Sequence, residues 1–278
     1  MTAGIVGLGL IGGSLAKSIK SRTLNTVYGA DTDRETMTLA RLCGAIDGEL
    51  TSENIGECSI ILIALAPHAA ISWLEENAAR VASGTIVVDN CGVKRAVTGP
   101  LSKLAADNGF CYVGGHPMAG KERSGFVNSS DDLFSGASMI LTPDSRTDIS
   151  TLETLKTFFT DIGFASLTFT TPEEHDRIIA YTSQLAHIVS SAYVRSPDAV
   201  KRRGFSAGSF RDMTRVARLD EDMWTELMFD NSDFLEEQLN ILITHLSEYR
   251  AALHDGDMDA LRSLLRDGRE KKAEAGGN

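Results

Sequence analysis

Residues 7–12 read GLGLIG, a G-x-G-x-x-G whose glycines are Gly7, Gly9 and Gly12. Alone the pattern is weak. Here the apolar run AGIVG (residues 3–7) leads into it, and SLAKSIKS, with helical character, leads out. In a strand–turn–helix setting each glycine has a task. Gly7 permits the tight turn, Gly9 lets the backbone approach a pyrophosphate, and Gly12 lets the helix pack close to the strand. The first turn of that helix, with Leu10 and Ile11, offers unbonded N–H groups and a partial positive charge to phosphates. Asp31 stands 19 residues after Gly12, at the end of the next strand-like run. An acid there accepts hydrogen bonds from both ribose hydroxyls and repels a 2′-phosphate. The expected cofactor is therefore NAD rather than NADP, with Arg34 close by to soften the preference.

The chain beyond the motif keeps the same alternation. Strand-like runs at 3–7, 26–30, 59–64, 85–89, 111–114, 138–142 and 164–169 are mostly separated by helical patterns. Strands joined by helix-length crossovers imply a mainly parallel, doubly wound α/β sheet of Rossmann type, covered on both faces. SIILIA (59–64) is apolar at every alternation, as a central parallel strand requires. From residue 171 the strand-like runs stop. The expected division is a nucleotide-binding domain over 1–170 and an all-helical substrate and dimerisation domain over 171–278.

TPEE at 171–174 has the form of a capping box, with Pro172 at the first helical position. The helix after it is expected to align Ile178, Tyr181, Leu185, Ile188, Val189 and Ala192 on one apolar stripe. A long helix over about 222–253 carries Leu235, Leu239, Leu242, Leu246, Tyr249 and Leu253 at alternating spacings of three and four. That seam serves either intramolecular packing or a dimer, and a homodimer through the helical domain is the expectation. The tail KKAEAGGN is expected to fray.

Composition excludes some partners. A formal charge of -11 with no long basic cluster disfavours nucleic acid and anionic membranes. Cys43, Cys58, Cys91 and Cys111 form no CxxC pair, so neither a zinc site nor a disulfide framework is expected, and a reducing cytoplasm is the simple reading. No run is long enough to span a bilayer, and the expectation is a chain without a signal leader and without an appended regulatory module after about residue 274.

His116 lies in GGHP, behind a strand and between two glycines and a proline. That places an imidazole on a constrained loop at the carboxyl end of the sheet, where open α/β folds bind ligands. A lone loop histidine is more often structural than catalytic. The surrounding segments change that balance: GGHPMAGKERSG (114–125), TSQLAHIVSSA (182–192), SAGSFRDMTRVA (206–217) and MWTELMFDN (223–231). Together they resemble the prephenate dehydrogenase family closely, from the N-terminus to about residue 265. Arogenate dehydrogenases share most of the pattern.

The resemblance implies oxidative decarboxylation of prephenate to 4-hydroxyphenylpyruvate with reduction of NAD, in tyrosine biosynthesis. His116 is then the base that accepts the substrate's hydroxyl proton. Arg215 is the main substrate-binding cation, favoured over Arg211, and Gly208 of the preceding SAGS stretch is a further substrate-binding candidate. An arginine fork suits one of the two substrate carboxylates. The resemblance puts His187 at the substrate pocket, with Gln184 one turn away, although a solvated helix face would look the same. Glu122 corresponds to an acidic gate residue, and Trp224 to a residue lining the pocket of the adjoining subunit. One position departs: Gly92, in DNCGVK, stands where the family often has a serine that bonds the histidine. Cys91 beside it reads as packing. The alternatives are arogenate oxidation, a related β-hydroxyacid or imine reductase, and a dinucleotide-binding regulator without catalysis.

Overall fold

The computed structural model describes residues 1–205 and 208–276, so Ser206 and Ala207 of the SAGSFRDMTRVA segment, and Gly277 and Asn278 of the tail, lie outside it. Eight strands form one sheet: β1 (Thr2–Val6), β2 (Thr26–Ala30), β3 (Gly48–Glu49), β4 (Ile60–Ile63), β5 (Ile86–Asp89), β6 (Cys111–Pro117), β7 (Ser138–Thr142) and β8 (Ser166–Phe169). Their order is β3-β2-β1-β4-β5-β6-β7-β8. The first six are mutually parallel, β7 returns antiparallel to β6, and β8 is parallel to β7. The order reverses between β1 and β4, and such a switch point opens a crevice at the carboxyl ends of the strands.

The crossovers are α1 (Leu10–Arg22), α2 (Arg34–Leu42), α3 (Pro67–Asn77), α4 (Arg95–Asn108) and α5 (Ile149–Asp161). Leu15 and Ile19 of α1 and Phe158 and Phe159 of α5 share one buried cluster with Ile5, Ile60, Leu62 and Val113. Leu74 of α3 and Leu101 of α4 share the other with Ile61, Ile63, Val87 and Tyr112. Successive residues of β4 thus feed opposite cores, as the unbroken apolar run requires.

Two departures from the expected strands exceed a shift of one or two residues at an end. β3 was not foreseen, because its two residues are too short to carry a period. β6 continues past the expected end at residue 114, since antiparallel β7 extends the ladder, pairing His116 with Ile140 and Pro117 with Met139. His116 therefore sits on a strand, not on a loop.

The chain divides into two compact units, Met1–Asn231 and Ser232–Asn278. Residues 171–231 pack with the first. There Thr171 Oγ1 accepts from the Glu174 amide at 3.2 Å and starts α6 (Pro172–Ile179). A π-turn over Ala180–Gln184 follows, then α7 (Leu185–Val194), α8 (Gly208–Thr214) and α9 (Glu221–Phe229). The π-turn adds a residue to the local period, so the apolar stripe does not stay on the inner face. His175, Asp176, Ile179, Ala180, Gln184 and Leu185 are buried, while Ile178 and Tyr181 are 49% and 62% exposed. The second unit holds α10 (Ser232–His254) and α11 (Met258–Ala275), where Tyr249 Oη donates to the Leu264 carbonyl at 3.3 Å. The expected helix over 222–253 is two helices, α9 and α10, which part at Asp230–Asn231. Asn231, fully buried, has its amide committed to Asp176 and Gln184. The tail, expected to fray, is helical through Ala275.

Candidate active site

The glycine turn is built as its sequence requires. Gly7 has φ +83°, and a Cβ on it would lie 2.5 Å from the Ala64 carbonyl oxygen. A Cβ on Gly12 would lie 1.8 Å from the Gly7 carbonyl oxygen, so only glycine lets α1 start this close to the turn. A Cβ on Gly9 would meet nothing within 4 Å, which leaves the backbone open to an approaching ligand. No side chain caps α1 and its first turn holds no acid, so the amides about Leu10 and Ile11 remain available to an anion. Asp31 follows β2 directly. One carboxylate oxygen accepts from the Leu8 amide at 2.7 Å and the other from the Asp33 amide at 2.9 Å. These bonds fix the acid beside the glycine turn and leave lone pairs for ribose hydroxyls.

At the carboxyl end of β6, His116 is half-buried. Its Nδ1 lies 2.9 Å from Nε2 of His175, and His175 Nδ1 lies 2.7 Å from Oδ1 of Asp176. The other edge of the His116 ring faces Gly92, where an added Cβ would stand 4.0 Å from Nε2. Burial, aided by neighbouring His175 and Lys94, holds the His116 pKa well below the ordinary 6.5. Burial also lowers His175, against the opposing pull of Asp176. For Asp176 burial acts upward, but hydrogen bonds from His175 and the Arg95 and Lys94 amides outweigh it and leave the carboxyl below its usual range. Those two amides open α4, which lacks a side-chain cap of its own, so Asp176 supplies one from α6.

Beneath His116 lies a buried ion pair. Lys94 and Asp89 are both fully buried and bonded to each other, and Lys94 also donates to the Gly115 carbonyl. The Asp89 carboxylate accepts further from Tyr112 Oη at 2.6 Å and the Cys91 amide at 2.9 Å. Burial pushes the Cys91 thiol well up, which disfavours its thiolate.

The remaining expected residues divide. Arg215 Nη1 donates to Glu122 Oε1 at 3.0 Å across an exposed ion pair. The Glu122 carboxyl, held by its own backbone amide and by Arg215, lies below its usual range. His187 Nδ1 donates to the Val216 carbonyl at 2.9 Å, and its ring lies 3.8 Å from the Trp224 ring of the same chain. Burial lowers the His187 pKa, leaving a neutral ring whose Nε2 is an acceptor. Trp224 thus packs on His187 of its own chain. Gly208 is exposed at the start of α8, and Arg211 is exposed beside Asp212. Gln184 is 1% exposed, its amide donates to the Leu227 carbonyl and its carbonyl accepts from Asn231, so both ends of its side chain are bonded within the fold.

Sequence reasoning missed His175, Asp176, Lys94 and Asp89. The available signals were the His-Asp pair inside the capping-box helix and an acid closing an otherwise apolar strand.

The doubly wound sheet, the glycine turn with an acid beside it and the recessed imidazole are those of a dinucleotide-dependent oxidoreductase. Residues 15–167 match the family model for the prephenate dehydrogenase nucleotide-binding domain, and residues 171–267 the model for its dimerization domain. The chain belongs to the prephenate dehydrogenase family. It is 30% identical to prephenate dehydrogenase of Bacillus subtilis (strain 168), over 92% of this chain and 71% of that one. Among solved structures it resembles prephenate dehydrogenase from Aquifex aeolicus in complex with hydroxyphenyl propionate and NAD+ (27% identity, TM-score 0.83, 99% of this chain and 98% of that one). It also resembles Synechocystis arogenate dehydrogenase (26% identity, TM-score 0.83, 99% of this chain and 100% of that one).

Proposed function

We propose that this protein oxidises prephenate to 4-hydroxyphenylpyruvate and carbon dioxide with NAD as the acceptor. The observation that carries the reading is His116: an imidazole at the carboxyl end of the sheet, its pKa lowered by burial, bonded through Nδ1 to His175 and with Nε2 on the side of Gly92. NAD bound at the glycine turn would supply the acceptor for the hydride on the ring carbon that bears the hydroxyl. His116 Nε2 takes the hydroxyl proton, the new carbonyl draws in the electrons of the ring–carboxylate bond, carbon dioxide leaves, the ring becomes aromatic, and the phenolate oxygen takes the proton back from His116. Arg215 binds one substrate carboxylate. In the structure Glu122 holds that guanidinium, so substrate replaces one carboxylate by another. His187, braced by Val216 and Trp224, lines the same pocket. Gly7, Gly9, Leu10, Ile11, Gly12 and Asp31 hold the dinucleotide, and the charge of Asp31 favours NAD over NADP.

The nucleotide-binding domain spans 1–170 and the substrate and dimerisation domain 171–278. A homodimer covers apolar side chains that one chain leaves exposed, among them Tyr181, Ile243, Leu246 and Leu253. No helix among the described residues is long and apolar enough to cross a membrane. The test is reduced-cofactor formation from prephenate and from arogenate, each with NAD and with NADP. Prephenate with NAD should give the highest kcat/KM. A preference for arogenate, or equal use of NADP, overturns the corresponding part of the reading.

A further inference from the structure

An imidazole can act as a base through Nε2 only if its own proton sits on Nδ1. Nothing intrinsic to histidine guarantees that arrangement, because the neutral ring places its proton on either nitrogen. The surroundings of His116 decide it. Asp176 is fully buried, and its carboxyl is held in the ionised range by amides of Lys94 and Arg95 at 2.7 and 2.9 Å. An ionised carboxylate only accepts. The 2.7 Å contact with His175 Nδ1 therefore puts the His175 proton on Nδ1. Burial keeps that ring neutral, so its Nε2 has a lone pair and no proton. The 2.9 Å contact with His116 Nδ1 then requires His116 to donate, and the lone pair of His116 is left on Nε2.

We propose that His175 is a positioning residue that, anchored by Asp176, fixes His116 as the Nδ1–H tautomer and aims its Nε2 at the substrate hydroxyl. The proposal rests on the reading of His116 as the base. It also explains how a chain with Gly92 beside Nε2 orients its imidazole: the ring is held from Nδ1, and no side chain on the Gly92 loop is needed. Lys94 and Asp89 bond to each other within the fold, and neither bonds to a ring nitrogen of His116 or His175. His175 is 2% exposed and serves no surface contact, which makes a solvent-facing role for it unavailable.

The full-length protein, selectively labelled at histidine nitrogens, gives the tautomer by NMR, with the His116→Asn variant assigning the signal. His116 and His175 should both show protonated Nδ1 and unprotonated Nε2. Kinetics supply the second arm. In His175→Gln the side-chain amide oxygen can still accept from His116 Nδ1, whereas His175→Leu offers no acceptor. His175→Leu should lose roughly ten- to a hundredfold in kcat, part of the about 10²–10⁴ a general base contributes, with KM little changed. His175→Gln should recover most of that loss. An Nε2–H tautomer at His116, a wild-type kcat in His175→Leu, or equal loss in both variants overturns the proposal. The tautomer reading stands even if the leucine variant fails to fold. If His116→Asn keeps its turnover, the base assignment falls instead, whatever the tautomer proves to be.

Discussion

At the scale of single residues, His116 and Arg215 occupy different chemical positions and should fail differently. His116 is recessed with its pKa lowered by burial, and the proposed function has it take a proton as the hydride departs. His116→Asn should lower kcat by about 10²–10⁴-fold, as for a lost general base, with little change in KM. Arg215 is exposed and already holds a carboxylate in Glu122, so its contribution is to ground-state binding. Arg215→Gln should raise KM roughly ten- to a hundredfold, the worth of a charged hydrogen bond. Steady-state kinetics of the two variants check both statements. Asp31→Ser should weaken NAD and admit NADP, read from the ratio of kcat/KM for the two cofactors. The pH dependence follows from burial. His116 has its folded pKa depressed, so the base form persists below pH 6.5 and the acid limb of kcat/KM should lie below that value. His175 and His187 are depressed too, so the unfolded chain takes up protons that the folded chain refuses, and stability should fall as pH drops below 6.5.

At the scale of elements, the site depends on a junction between β5, β6, the start of α4 and α6. Lys94 and Asp89 hold the first three together from inside, and Asp176 caps α4 from α6. Removing one partner of such a buried, hydrogen-bonded pair typically costs about 3–5 kcal/mol. Lys94→Met should destabilise by that order in denaturant unfolding, and the uncovered Asp89 carboxylate is the reason. Here the limits of the sequence are physical. The glycine turn, Asp31, the strand that ends in Asp89 and the strand that leads into His116 are local patterns and were readable. The His116–His175–Asp176 line joins residues far apart in the chain, and no period or spacing announces it. The internal bonding of Gln184 was not legible, because a π-turn shifts the helical period there and an asparagine from another segment donates to its side-chain carbonyl. His116 itself was placed correctly at the carboxyl edge but on the wrong kind of element, because the antiparallel return of β7 is a sheet-level event.

At the scale of the whole molecule, the first unit carries every residue proposed for chemistry, and the second unit carries an apolar surface that a single chain leaves bare. Light scattering should find a dimer, and Leu246→Glu with Leu253→Glu should weaken it, since a charge at a buried seam goes unpaired. A monomer with full activity would show that those side chains serve no interface. The central claim is the oxidation of prephenate through a neutral His116, and it is tested most directly by following reduced cofactor and 4-hydroxyphenylpyruvate together, from prephenate and NAD, in the wild-type and His116→Asn proteins. The account predicts equal amounts of both products from the wild type and a turnover about 10²–10⁴-fold lower in the variant, with NAD affinity kept. No product from the wild type, or an unchanged rate in the variant, would contradict it.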